Sequence, residues 1–298
     1  MSSGRGVWQL ELVLGAIAIS FSAVFVRLVH VSPTVSGFYR MLFGGLILLG
    51  IMVFRRERLQ LGVRNFLFLA LAAACFAADL MLWHRSILYV GPGLATLLAN
   101  FQVFVLAAVG VLFLKERLTL LQCFSIGLAM LGLGLLVGSG WGHLPPLYHR
   151  GVVLGLFTAG AYAGYILTLR NIRTTGKPGS AFATITVVSL ITALILATAV
   201  GVEGDSFAIP SWSDAGWLLL YGLVPQVLGW VLISTSMAKV GAAQVGLVLL
   251  LQPTGSLIWD WLFFGRRFTA IEIVGAVIAL AAIYMGSMKS KTAAKAVG

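Results

Sequence analysis

Apolar runs of about twenty residues follow one another almost without interruption along this chain, near 9–28, 34–54, 65–88, 93–114, 118–138, 151–170, 181–201, 214–236, 242–264 and 269–287. A helix needs roughly 20 mostly apolar residues to cross a hydrocarbon core about 30 Å thick. No water reaches that core, so only helices and closed barrels can satisfy their backbone groups there. These runs are too long and too uniformly apolar to be alternating barrel strands. With 60% hydrophobic residues, 10% charged and a mean hydropathy of +1.02, the chain would not dissolve as a water-facing globule. The expected fold is an all-α membrane protein of ten transmembrane helices, with connections too short to hold a soluble domain.

The runs also repeat. Val90-Gly91, Leu97, Gln102, Leu112-Phe113, Arg117 and Thr119 return 150 positions later as Val240-Gly241, Leu247, Gln252, Leu262-Phe263, Arg267 and Thr269. Val13-Leu14-Gly15 returns at a spacing of 140 as Val153-Leu154-Gly155. The expected division is a first five-helix repeat over 1–140 and a second over 141–298. Five crossings is an odd number, so the second copy lies inverted in the bilayer, an arrangement found in transporters that bind solute between their halves. One chain already holds a full pair, so a monomer suffices.

Charge gives the expected orientation. Lys and Arg near helix ends collect on the cytoplasmic side. With the amino terminus inside, the inner segments hold fourteen of them: Arg5, Arg55, Arg56, Arg58, Arg64, Lys115, Arg117, Arg170, Arg173, Lys177, Lys239, Lys289, Lys291 and Lys295. The outer side holds five, Arg27, Arg85, Arg150, Arg266 and Arg267, and Arg40 is left within a helix. Both termini are therefore expected inside. The basic Arg55-Arg56-Glu57-Arg58 connection corresponds to one in the second copy carrying Glu203, Asp205 and Asp214, as inversion requires. The net charge of +11 is spread over short loops rather than gathered in one groove, which argues against nucleic-acid binding. The polar Met1–Gly6 start precedes a run without a cleavage pattern, so a retained first helix is expected. Cys75 and Cys123, both in apolar segments, read as small buried hydrophobes.

Tyr89-Val90-Gly91-Pro92 through Asn100, then Leu114-Lys115-Glu116-Arg117-Leu118-Thr119 and a helix with Gly127, Gly132 and Gly134, resemble the EamA module of the drug/metabolite transporter superfamily. Phe38-Tyr39-Arg40 is similar to that module's aromatic-arginine pattern. The second copy departs at Gly265-Arg266-Arg267-Phe268, where the family has Gly-Glu-Arg-Leu. Within the superfamily the chain looks most like YddG-type exporters of aromatic amino acids. The resemblance implies export of a small zwitterionic metabolite, an aromatic or other neutral amino acid, from the cytoplasm across the bacterial inner membrane.

Polar groups inside a bilayer are costly and face a cavity or a partner. Asp79 and Arg40 fall at about the same depth on neighbouring helices, as either a structural ion pair or a substrate and proton site. Trp83 and His84 lie one turn further along. Tyr162 and Tyr165, three apart among small residues, share a helix face and suit a flat ligand or ordinary packing. Pro225 breaks a helix that carries Gln226 and Trp230 on one face. Gln102 and Gln252 are symmetric counterparts that, with Asn100, either form a central site or glue helices together. Asp260 is expected to bridge to the nearby Arg266 and Arg267.

These residues point to a secondary transporter alternating access to a cavity between the halves, with small-molecule and lipid partners and no cofactor or metal. Drugs or nucleobase-like metabolites are the alternative cargo. An intramembrane enzyme is the alternative class, disfavoured because the chain has no paired intramembrane aspartates, no His-rich cluster and no nucleophile motif.

Overall fold

The computed structural model describes residues 3–57, 63–114, 119–138, 141–175, 181–237, 245 and 248–287, with 3–6, 114, 170–175, 181, 237 and 287 described by backbone alone. Among these residues the regular structure is all helical, without strands. The helices are α1 (Ser3–Ser20), α2 (Ser22–Leu28), α3 (Pro33–Phe54), α4 (Val63–Val90), α5 (Pro92–Ala99), α6 (Gln102–Leu114) and α7 (Leu120–Gly138). After a short 3-10 turn follow α8 (Pro146–Thr175), α9 (Ala181–Glu203) and α10 (Trp212–Tyr221). A π-helical segment (Gly222–Gly229), α11 (Trp230–Met237), α12 (Leu251–Phe264) and α13 (Ala270–Ser287) complete the order.

Eight segments are long and apolar enough to cross a bilayer, from Val7–Leu28 through Trp212–Ser236, so the chain is a multi-pass membrane protein. The ninth and tenth apolar runs give the shorter α12 and α13. Several expected positions lie outside the described residues. They are the Lys115–Leu118 corner, Val240-Gly241 and Leu247 of the repeat, residues 242–244 of the ninth run, and the basic residues Arg58, Lys177, Lys239, Lys289, Lys291 and Lys295.

Three of the expected helices are interrupted, the eighth at the proline that the sequence marks. The first breaks at Phe21. There the Val24 N–H bonds Phe21 O at 2.9 Å, and the Ser20 carbonyl instead accepts from the Ser256 hydroxyl at 3.1 Å. A hydroxyl inserted into the ladder bends a helix. The fourth run divides into α5 and α6 at Asn100-Phe101, where the Phe101 N–H bonds Leu98 O at 3.0 Å in a tight turn and Asn100 Nδ2 donates to Thr96 O at 2.8 Å. The eighth widens into the π segment around Pro225, whose missing N–H removes one rung. At the α4–α5 corner Gly91 has a φ of 88°, a conformation that favours glycine, and Pro92 opens α5.

Between lipid-immersed helices the apolar solvent gives no hydrophobic drive, so close approach at small residues dominates the packing. On α7 and α13, a methyl at Gly132 would lie 2.8 Å from Gly275 O, and one at Gly275 would lie 2.8 Å from Gly132 O. Gly44 of α3 meets Gly222 in the same reciprocal way, and Gly15 of α1 meets Gly229. The most extensive contacts pair α4 with α8, α7 with α13 and α3 with α9. Others join α5 to α12 and α8, and α1 to α12 and to the π segment and α11. Still others join α4 to α9, and α3 to α10 and the π segment.

The α3–α9 pair is antiparallel. Thr34 at the start of α3 donates to Glu203 at the end of α9 (2.7 Å), while Arg55 beyond the end of α3 lies 5.7 Å from the Phe182 ring at the start of α9. Exposed Arg55 and Arg56 therefore lie on the face opposite Glu203. Of the two cysteines, Cys75 is half-buried and Cys123, near the start of α7, is exposed rather than buried.

Candidate functional site

The breaks in the helices turn polar side chains inward around a cavity of about 70 Å³. The first half of the chain contributes Ile19, Ser22, Arg40, Phe76, Asp79, Trp83, Thr96, Ala99 and Asn100, and the second contributes Tyr162, Trp230 and Gln252. The space holds a few waters. It is smaller than the pocket of a drug-sized ligand, roughly 300 Å³ or more.

Arg40, 4% exposed, is the best-held charge here. Its Nε donates to Gln226 Oε1 at 3.2 Å and its Nη1 to the Tyr221 hydroxyl at 3.1 Å, with the guanidinium 5.0 Å from the Tyr221 ring centre. Gln226 Nε2 donates in turn to Ser189 Oγ at 3.0 Å. The close approach of Gly44 and Gly222 brings α3 and the π segment near enough for this network.

On its other side Tyr221 meets His84 Nε2 at 3.0 Å, while His84 Nδ1 lies 2.5 Å from Leu80 O. A carbonyl only accepts, so Nδ1 carries the proton, and in the neutral ring Nε2 accepts from the Tyr221 hydroxyl. The bonded chain runs Arg40, Tyr221, His84, Leu80, and it leaves both nitrogens of His84 with a partner.

No salt bridge joins Arg40 to Asp79 among the described residues, so of the two readings open for them the structural ion pair is not formed. Both face the same cavity instead, because Gln226 and Tyr221 turn the guanidinium toward the π segment. Aromatic rings form the walls. Phe76 stacks on Tyr165 with centroids 4.6 Å apart, Tyr165 stacks on Tyr162 at 6.0 Å, and Trp230 meets Tyr165 edge-on at 6.3 Å. Two buried polar atoms of cavity residues, Ser22 Oγ and Trp230 Nε1, have no hydrogen-bond partner among the described residues.

Of the residues singled out in the sequence, Trp83, Asn100, Tyr162, Trp230, Gln252, Asp79 and Arg40 line the cavity. His84, Gln102, Tyr165 and Gln226 do not. His84 and Gln226 stand behind it in the Arg40 network, Tyr165 backs the aromatic wall, and Gln102 has a buried Oε1 without a partner. Of the two symmetric counterparts, Gln252 lines the cavity and Gln102 does not. Sequence reasoning passed over Ile19, Ser22, Phe76, Thr96, Ala99 and Tyr221. Phe76 and Thr96 were within reach, one turn before Asp79 and Asn100 on the same helices. Ser22 depends on a break that only the tertiary contact with Ser256 makes. Asp260 pairs with Arg266 at 3.6 Å and accepts from the Gly93 N–H at 3.2 Å, and Arg266 also reaches Glu272 at 3.6 Å. Arginine in this place keeps the corner ionically tied.

The model of the EamA-like transporter family matches the chain twice, over residues 6–138 and 149–288. The chain belongs to the EamA-like transporter family. Membership makes it a membrane transporter and fits two tandem modules in one chain. A solved protein crystal structure is similar to this EamA-like chain over 95% of it and 97% of the other, with a TM-score of 0.65 at 13% identity, a likeness of fold alone. No curated protein matches it in sequence.

Proposed function

We propose that the protein is a secondary transporter exporting small zwitterionic metabolites, aromatic and other neutral amino acids, across a bacterial inner membrane by alternating access, as YddG-type exporters do. The observation that carries this reading is the central cavity. It is lined from both halves, walled by aromatic rings, and supplied with one carboxylate and one guanidinium. Rings accommodate a flat side chain, and opposite charges in one cavity suit an ammonium and a carboxylate on one ligand.

The reading includes ten crossings in two inverted repeats, with α12 and α13 completing the count, and the helix pairings support it. Exchanging the halves turns the α4–α8 contact into that of the π segment and α11 with α1. It turns α4–α9 into the contact of α3 with α10 and the π segment, and α5–α8 into α1–α12; each of these mates is present. The α3–α9, α5–α12 and α7–α13 contacts map onto themselves. The opposite placement of Arg55 and Glu203 agrees with inversion and with cytoplasmic termini.

Uptake into liposomes holding the purified protein, with labelled tryptophan, phenylalanine, threonine and an unrelated drug, with and without a proton gradient, tests the proposal. Saturable amino-acid flux is the expected result. Drug flux without amino-acid flux would keep the carrier and overturn the cargo.

A further inference from the structure

Asp79 is the charge in the cavity to which no described residue bonds, and Arg40 acts on it only through space. The residue is 7% exposed, lines the cavity from the middle of α4, and receives no hydrogen bond from any described residue. The cation nearest in kind, Arg40, spends Nε on Gln226 and Nη1 on Tyr221 and forms no salt bridge with it. An ionised carboxylate in this setting is costly, and the cost falls when a cation arrives. Its surroundings favour a particular cation. Phe76 and Trp83 lie three residues before and four after it, on the same face of α4, and Tyr162 and Trp230 face the same space from the second half. Ring faces attract an ammonium, most strongly where water is excluded. Two further groups ask for a ligand atom of the other polarity. Trp230 Nε1 is a donor only, the Ser22 hydroxyl can donate, and both are buried in cavity residues without a partner among the described residues.

We propose that Asp79 is the ammonium-binding residue of the transport site, taking the amine of a ligand with a flat or apolar side chain, while the Trp230 indole N–H and the Ser22 hydroxyl take its acceptor group. The proposal rests on the central cavity being the transport site, and it deepens that reading by naming the group the site requires. A ligand with an amine and no carboxylate still satisfies Asp79. A ligand with a carboxylate and no amine can meet Arg40 but leaves Asp79 unpaired and adds a second negative charge to the cavity.

The test measures binding of three labelled probes to the full-length purified protein: phenylalanine, phenethylamine, which lacks the carboxylate, and 3-phenylpropionate, which lacks the amine. In the wild type, phenethylamine binds at least tenfold more tightly than 3-phenylpropionate. In Asp79→Asn, or Asp79→Ser where the amide does not fold, that preference is lost. Equal wild-type binding of the two probes, no saturable binding of phenethylamine, or a preference that survives removal of the carboxylate overturns the proposal. Phenethylamine preference without amino-acid flux would sink the amino-acid cargo and keep the ammonium site. Amino-acid flux with no such preference would do the reverse.

Discussion

At the scale of single residues, the site depends on a tyrosine that no sequence motif marks. Tyr221 accepts from Arg40 Nη1 and donates to His84 Nε2, so removing one hydroxyl leaves a buried guanidinium donor and an imidazole acceptor unpaired. Each orphaned buried group costs about 1–3 kcal/mol. Tyr221→Phe is expected to lower stability by about that amount, seen as a lower unfolding midpoint in detergent, and to reduce flux because Arg40 loses its anchor. A midpoint equal to wild type would show that the hydroxyl carries no such role. His84 was legible as an unusual residue of its helix, yet its direction was not. A helical position fixes depth, while the face it shows is fixed by the neighbours packed on it. The same limit separated Gln252, in the cavity, from Gln102, outside it.

Among whole elements, glycines sort into those that bring helices together and those that face open space. Gly132 and Gly134 share α7, but a methyl at Gly132 would fall 2.6 Å from Ala279 N of α13, whereas one at Gly134 meets nothing within 4 Å. Gly132→Ala is expected to destabilise by about 1–3 kcal/mol through overpacking. Gly134→Ala should be neutral or stabilise by up to about 1 kcal/mol, as alanine is the better helix former. Unfolding midpoints of the two variants side by side check this, and equal values would contradict the close approach. The sequence shows a glycine-rich helix without showing which glycine meets backbone. The π segment makes a similar point. Pro225 announces a disturbance, and only the packing of α3 through Gly44 shows that the wide turn delivers Gln226 to Arg40.

Across the whole molecule, polar ties between the halves gather at the end where α9 finishes. Glu203 accepts from Thr34 at 2.7 Å and from Arg85 at 2.7 Å, and Tyr39 donates to Phe207 O at 2.6 Å. At the same end His30 meets Asp214 at 3.0 Å, and Arg266 donates to Val90 O. Under the alternating access proposed above, opening that face would break these ties. Arg85 and Glu203 are each about a quarter exposed, so their pair is worth about 1 kcal/mol or less. Glu203→Gln is therefore expected to raise opening at this face up to about fivefold. The measurement is the labelling rate of Ser22→Cys, in a background of Cys75→Ser and Cys123→Ser, by an impermeant thiol reagent added from the Glu203 side. An unchanged rate would show that the cluster does not hold that face shut.

What the sequence determined by itself was the solvent, the secondary structure and the repetition. Each of these depends on composition along the chain: apolar length sets a crossing, backbone groups in lipid require helices, and a copied pattern can be read by shifting the chain against itself. Tertiary structure decided where the helices break and which side chains converge. Those outcomes rest on partners far apart in the chain, as when the Ser256 hydroxyl takes the carbonyl of Ser20 across 236 positions and opens the turn that presents Ser22 to the cavity. Asp79 shows the division most plainly. Its presence in an apolar run was legible from the start, but its freedom from Arg40 was not, because Gln226 and Tyr221, which hold that arginine, come from the other half of the molecule.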